Sequence, residues 1–306
     1  MLTTLSGSSE LYITEINRVE QTISQANQQV SSGYRITVAS DAPDQISSLL
    51  QLRADQQHNA QVESNLSLAG TNASSADGAL STAIQLMDRA TTLATQGANA
   101  TQTAETRADI AQEIAGIQAE MVAASQTTVE GRYIFGGDQN GSPSYALDLN
   151  STDGVDELSS SAATAQVEDA SGGSFAATET AQQIFDDQNA DGSDASDNVF
   201  AALNNVRLAL LANDTDSINT ATSALQLASQ HLNSAEAFYG NVENRIQDAT
   251  NFAQNQDVDL ATEISNIQDA DIPTASMELT ESTTQLQAAF MMQAKMPTTT
   301  LFNYMG

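Results

Sequence analysis
Between Ile218 and Ala253, apolar residues recur in steps of three and four without a slip: Ile218, Ala221, Leu225, Ala228, Leu232, Ala235, Tyr239, Val242, Ile246, Ala249 and Ala253. That spacing turns one apolar seam of a helix toward a partner helix along its whole length. At about 1.5 Å per residue the helix is roughly 54 Å long, too long for a compact globular core to cover its seam. Its partners must be equally long. Large residues alternate with alanine, so neighbouring backbones approach closely and the large side chains fill the gaps. The expectation is a rod.

Composition agrees with long helices and narrows the function. The chain has no tryptophan, 5% aromatic residues and a formal net charge of −30, with Lys295 its single lysine. It has no basic patch to displace counterions from phosphate, which argues against nucleic acid, and its charge disfavours anionic membrane surfaces. Without cysteine there is no disulfide frame, thiolate metal site or cysteine nucleophile. No stretch approaches the roughly 20 apolar residues of a membrane span. Met1 to Ser9 lacks the basic and apolar regions of a secretory signal. These rules alone place the protein in the cytoplasm, unless a dedicated machine exports it on an uncleaved signal.

Taken in order, Tyr12, Ile16, Val19, Ile23, Ala26 and Val30 form a first ladder that Gly33 can end. Ser40-Asp41-Ala42-Pro43 reads as a helix start, with Asp41 as the capping carboxylate. A second seam runs Val62, Leu66, Ala69, Ala73, Ala76, Leu80, Ala83, Met87, Ala90, Ala94 and Gly97, and is expected to pack against the Ile218 to Ala253 seam. After a polar break at Gly97 to Thr103, a third ladder through Ile110, Ile114, Ile117, Met121 and Ala124 ends near Gly131. Tyr133-Ile134-Phe135 followed by Gly136-Gly137 reads as a short strand with a turn. Residues 138–198 lose periodicity and carry thirteen Asp or Glu with no Lys or Arg. They form either a small acidic loop-rich domain or a partly disordered protrusion. Helix returns at Val199, breaks at Pro273, and resumes as a last ladder, Leu279, Thr283, Leu286 and Phe290, ahead of Leu301 and Phe302.

Specific motifs resemble one family. Ser32-Gly33-Tyr34-Arg35-Ile36 with Ser40-Asp41-Ala42-Pro43 is similar to the N-terminal signature of bacterial flagellins and hook-associated proteins. Gly131-Arg132-Tyr133-Ile134-Phe135-Gly136-Gly137 resembles the motif closing the third helix in the hook-filament junction branch, and Leu286 to Phe290 with Leu301-Phe302 resembles the family's C-terminal end. The likeness covers about residues 5–137 and 199–306. Ala42 departs from it, standing where junction proteins usually carry a second acidic residue. Thr91 and Thr92 depart from the surface that immune receptors read on some flagellins, so that property is not carried over.

The resemblance implies a structural subunit of the flagellum at the hook-filament junction, outside the cell and exported without a cleaved signal peptide. Flagellin is the alternative, and a secreted adhesin-like binding module is the alternative of another class. It implies no enzyme and no cofactor. Expected partners are the hook-side junction protein, flagellin, further copies of the chain and an export chaperone, with no nucleic acid and no membrane. The expected fold is mainly α, an elongated antiparallel bundle of long heptad helices with a small β or loop-rich insertion and coiled-coil-forming terminal helices. Residues 1–43 and 256–306 are assigned to terminal assembly helices, 44–137 and 199–255 to the rod, and 138–198 to an acidic outer insertion. The assembly seam comprises Tyr12, Ile16, Val19, Ile23, Val30, Leu279, Leu286, Phe290, Leu301 and Phe302. Gly33, Arg35, Asp41, Pro43, Gly131, Arg132, Tyr133 and Phe135 carry the family motif.

Chemistry finds little purchase. His58 and His231 belong to no metal-binding pair and read as solvated helix residues. No phosphate loop or nucleophile elbow is present. Asp187-Gln188-Asn189-Ala190-Asp191-Gly192 repeats the first half of a calcium loop, but Asn198 stands where a bidentate glutamate belongs. Asp187, Asn189 and Asp191 are therefore weak calcium candidates in what otherwise reads as a solvated turn.

Overall fold
The computed structural model describes residues 2–295, with side chains for residues 10–294. In order the chain forms α1 (Leu2–Ser32), α2 (Ile46–Ala98), α3 (Ala104–Ser125), β1 (Thr128–Val129), β2 (Arg132–Tyr133), β3 (Tyr145–Leu147), β4 (Val155–Glu157), β5 (Gln166–Glu168), β6 (Ser174–Ala176), α4 (Ala181–Phe185), α5 (Val199–Leu211), α6 (Thr215–Gln268) and α7 (Ile272–Lys295). It divides into two compact units, Asn59–Gln256 and Met1–His58 with Asp257–Gly306.

In the Asn59–Gln256 unit the two long seams meet. Asn59 Nδ2 donates to the Ala253 carbonyl at 2.8 Å. Further along α2, a methyl group added at Gly70 would lie 3.6 Å from Ile246 Cγ2. Rising numbers on α2 meet falling numbers on α6, so the helices are antiparallel. Leu66, Leu80, Met87, Leu225 and Leu232 are fully buried between them. Each buried side chain of this size contributes about 1.5–3 kcal/mol relative to exposure. Thr103 N-caps α3 by accepting from the Thr106 amide. That helix adds Ile110, Ile114, Ile117 and Met121 to the core and packs against α5, which adds Leu203, Val206 and Leu210. At Gly97 an added Cβ would collide with the Leu210 Cδ2 methyl, so the α5 side chain packs directly over the glycine and would have to shift for any larger residue.

The close of α3 differs from the expectation. The helix stops at Ser125, and β1 pairs with β2 across a two-residue turn at Glu130 (φ 52°) and Gly131 (φ 78°). Twist-matched turns of this kind take left-handed residues at both centres. The turn thus precedes the strand, which is Arg132–Tyr133, and Phe135 leaves it to be buried.

Residues 138–198 fold as two hairpins, β3 with β4 and β5 with β6, followed by the short α4, whose Thr180 and Gln183 form a reciprocal capping box. The segment is joined to the helices by a shared core. Phe185 stacks on Phe200 at 5.8 Å and meets Phe135 edge-on at 5.7 Å, while Tyr145 lies 5.2 Å from Phe200 and Phe135 lies 6.2 Å from Tyr239. A protrusion held only at its ends would bury none of these rings.

In the other unit, Gly33 ends α1 with φ 78° and donates its amide to the Gln29 carbonyl, in the left-handed cap that glycine favours. The chain then clamps the end of α6: Arg35 N donates to the Gln268 carbonyl at 2.7 Å and Ala270 N to the Gly33 carbonyl at 2.9 Å. Ile36, Ala42 and Leu49 form a small core, with Ile46, Ile264 and Ile267 packed on it. Asp41 does not cap α2, which begins only at Ile46. Its carboxylate turns back to accept from the Thr37 and Val38 amides at 2.8 and 2.9 Å, bracing the loop ahead of it. Those bonds hold the carboxyl below its ordinary range.

Candidate functional site
α1 and α7 lie side by side. Tyr12 Oη donates to the Ala289 carbonyl at 2.6 Å, and Tyr12, Ile16 and Val19 line one groove with Leu286 and Ala289. Heptad spacing places these residues on facing stripes, and Asp271 begins α7 by accepting from Thr274 Oγ1 at 2.7 Å, with Pro273 inside the first turn. Pairing seals only part of the apolar surface. Val19, Ala26 and Ala275 are buried, whereas Tyr12, Ile16, Ile23, Leu279 and Leu286 are half-buried. Phe290 remains 49% exposed and Val30 37% exposed. Leu11, Ile13, Met277, Met291 and Met292 are also in water, at 57–73%. Leu301 and Phe302 lie outside the described residues.

The remaining motif residues are structural. Arg35 Nη2 donates to the Ile267 carbonyl at 2.6 Å and to Gln45 Oε1 at 2.8 Å, fixing the α1–α2 connection on α6. Pro43 lies in that connection, while Arg132 and Tyr133 are the strand residues of the Gly131 turn. Phe135 is a core ring, and its carbonyl accepts from Ala181 N at 2.7 Å.

Asp191 Oδ1 accepts from the amide and hydroxyl of Ser193, and Asn189 Nδ2 donates to Ser193 Oγ and the Asp194 carbonyl, so their polar atoms brace their own turn. The carboxylates that the fold brings within 4.8 Å of one another are those of Asp153, Asp186 and Asp194. Asp186 is 2% exposed and accepts from Tyr145 Oη at 3.0 Å, Asn198 Nδ2 at 2.8 Å and Gln188 Nε2 at 3.1 Å. Burial pushes its carboxyl up to about 6, against the pull of those hydrogen bonds.

Three engaged residues were not legible as such. His231 is not a solvated helix residue: its Nε2 lies 2.8 Å from the Gln183 carbonyl and its Nδ1 3.5 Å from Asp197 Oδ2. Arg107, 5% exposed, donates to the Gly97 and Asn99 carbonyls, Asn213 Oδ1 and Thr215 Oγ1, joining the α2–α3 turn to the α5–α6 turn. Arg207 donates to the Leu149 carbonyl and to Asn204, whose amide in turn serves the Ser151 and Thr152 carbonyls. Both arginines sit at helical spacing from core residues, Arg107 three before Ile110 and Arg207 four after Leu203. A charged residue on an apolar stripe was the available signal.

The pattern described as the bacterial flagellin N-terminal helical region matches residues 8–140, and that of the C-terminal helical region matches residues 222–305. Together they take in most of both paired helices, the Val62 to Ala94 seam, the second seam from Leu225 onward and the Gly131 turn. No curated protein matches the chain. Among solved structures, a Vibrio parahaemolyticus protein described as flagellar hook-associated is similar at 18% identity, covering 75% of this chain and 100% of its own, with a TM-score of 0.63. The Xanthomonas campestris FlgL is similar at 17%, covering 69% and 98%, with a TM-score of 0.59. Flagellar hook-associated protein-3 of Legionella pneumophila is similar at 12%, covering 71% and 98%, with a TM-score of 0.61. At such identities these likenesses speak for the fold, while the two matched regions, one at each end and together most of the sequence, carry the family: the chain belongs to the bacterial flagellin family, whose N- and C-terminal helical regions it shares.

Proposed function
We propose that the chain is a non-enzymatic subunit of the flagellar axis, placed at the junction between hook and filament and assembled through α1 and α7. The observation that carries this reading is the half-sealed helix pair. Two helices cover only one side of each other, and the apolar residues left over, Leu11, Ile13, Phe290, Met291 and Met292, gain burial when further subunits pack on them. Heterologous contacts of this kind propagate along a helical lattice and need no closed symmetry. The similar solved structures described as a flagellar hook-associated protein-3 and as a flagellar junction protein, aligned over nearly their whole length, support the junction over the filament. Under this reading residues 1–43 and 256–306 are the assembly segments, the seam continues through Leu301 and Phe302, and 138–198 faces outward. The partners are a hook-side junction protein, flagellin and an export chaperone.

Electron microscopy of a strain lacking the gene tests the position. Bare hooks, with flagellin shed into the medium, are expected; hooks carrying a filament overturn the junction assignment. Purified chain that polymerises alone into long filaments favours a flagellin. Retained surface binding by a chain stripped of both terminal helices favours an adhesin.

A further inference from the structure
We propose that His231 is a proton-gated tie between α6 and the acidic segment 138–198. Its two ring nitrogens face two acceptors: the Gln183 carbonyl, within α4, lies 2.8 Å from Nε2, and the Asp197 carboxylate, just ahead of α5, lies 3.5 Å from Nδ1. A neutral imidazole carries one N–H. With that proton on Nε2, facing the carbonyl, the Nδ1 lone pair points at a carboxylate. Only the imidazolium donates to both oxygens, and only in that form does the ring bring positive charge to a segment with thirteen acidic residues and no Lys or Arg of its own.

The surroundings favour a gate over a passive contact. The side chains of His231 and Asp197 are 23% and 35% exposed, so solvent weakens the pair without cancelling it. Glu179, just ahead of α4, also feels the ring: burial raises its carboxyl above the ordinary range, and the positive ring opposes that rise. On α6 no other charged residue lies between Leu227 and Ala235. The tie acts on α4, where Ile184 and Phe185 are fully buried against the helices. The double hold exists only while the ring is charged, so it is made by the imidazolium and lost in the neutral form.

Amide exchange on the full chain tests this at Gln183 to Asp186, with opening constants corrected for intrinsic exchange at pH 6 and pH 8.5. Wild type is expected to open about threefold to tenfold more at the higher pH, the range of a half-exposed charged pair. Asp186 also titrates in this segment, so the informative quantity is the difference between wild type and His231→Gln, whose amide can donate to the Gln183 carbonyl but never becomes charged. The step is expected to shrink in that variant and in Asp197→Asn. Equal steps in wild type and His231→Gln overturn the proposal. Should His231→Gln fail to fold, an undiminished step in Asp197→Asn, altered at a partly exposed position, overturns it as well.

Discussion

Leu232 on α6 and Phe290 on α7 occupy the same kind of place in the same three-four spacing, yet Leu232 is fully buried and Phe290 is 49% exposed. The difference lies in how many elements surround each seam. In the Asn59–Gln256 unit, α2, α3, α5 and α6 with the hairpin segment close a single core around aromatic rings and leucines. In the other unit, α1 and α7 have one another, and a two-helix pair can cover only one side of each stripe. Periodicity states that a helix has an apolar face. The number of partners decides whether that face ends as core or as a surface waiting for a neighbour.

Substitutions at the two seams sharpen the contrast most. Leu232→Asp places an unpaired charge in a dry seam and is expected to cost several kcal/mol, or to prevent folding, in chemical denaturation. Phe290→Asp is expected to change stability by no more than about 0.5 kcal/mol while abolishing incorporation into the flagellum. Equal effects on stability would erase the distinction. Excising residues 138–198 ranks next: it removes Tyr145 and Phe185 from Phe135, Phe200 and Tyr239, and the truncated chain is expected to lose several kcal/mol, since each large aromatic lost from a core costs about 3–5 kcal/mol. Unchanged melting of that variant would make the segment an appendage.

Gly97→Ala should destabilise by about 1–3 kcal/mol through the clash with Leu210 Cδ2, and Leu210→Ala should cost less in that background than in wild type, the coupling a double-mutant cycle measures. The smallest effect is in pH. Asp186 takes up a proton on folding, so its contribution is full below the ordinary carboxylate range and is lost as pH rises to about 6. Asp41, in the other unit, has the opposite sign: its carboxyl is depressed, so its contribution is present at neutral pH and lost on acidification. Melting followed from pH 4 to pH 7 should show Asp186→Asn flattening a decline of at most about 2 kcal/mol.

Much of this contrast can be read from the chain itself. The seams from Val62 to Ala94 and from Ile218 to Ala253 are buried along their full length, because a helix of that length has only one way to hide such a stripe. The joining of 138–198 to the core was not legible, since Phe135, Tyr145, Phe185 and Phe200 are isolated aromatics without a period, scattered over more than sixty residues. Asp41 misled because a capping residue and a loop-bracing residue share one chemistry, and here its carboxylate is taken by the Thr37 and Val38 amides. The half-calcium pattern at Asp187 to Gly192 has the same ambiguity: oxygen ligands at alternate positions also brace a turn, as Asn189 and Asp191 do here.

The central claim is that the terminal pair is completed by neighbouring subunits, whereas the Asn59–Gln256 unit is complete in itself. Amide exchange on the free monomer tests it directly. The account requires strong protection at Leu225 to Ile246, where opening demands breaking the whole core, and fast exchange at Tyr12 to Val30 and Leu279 to Phe290, where half the apolar stripe is already in water. Comparable protection throughout would contradict it and make the pairing of α1 with α7 sufficient without any partner.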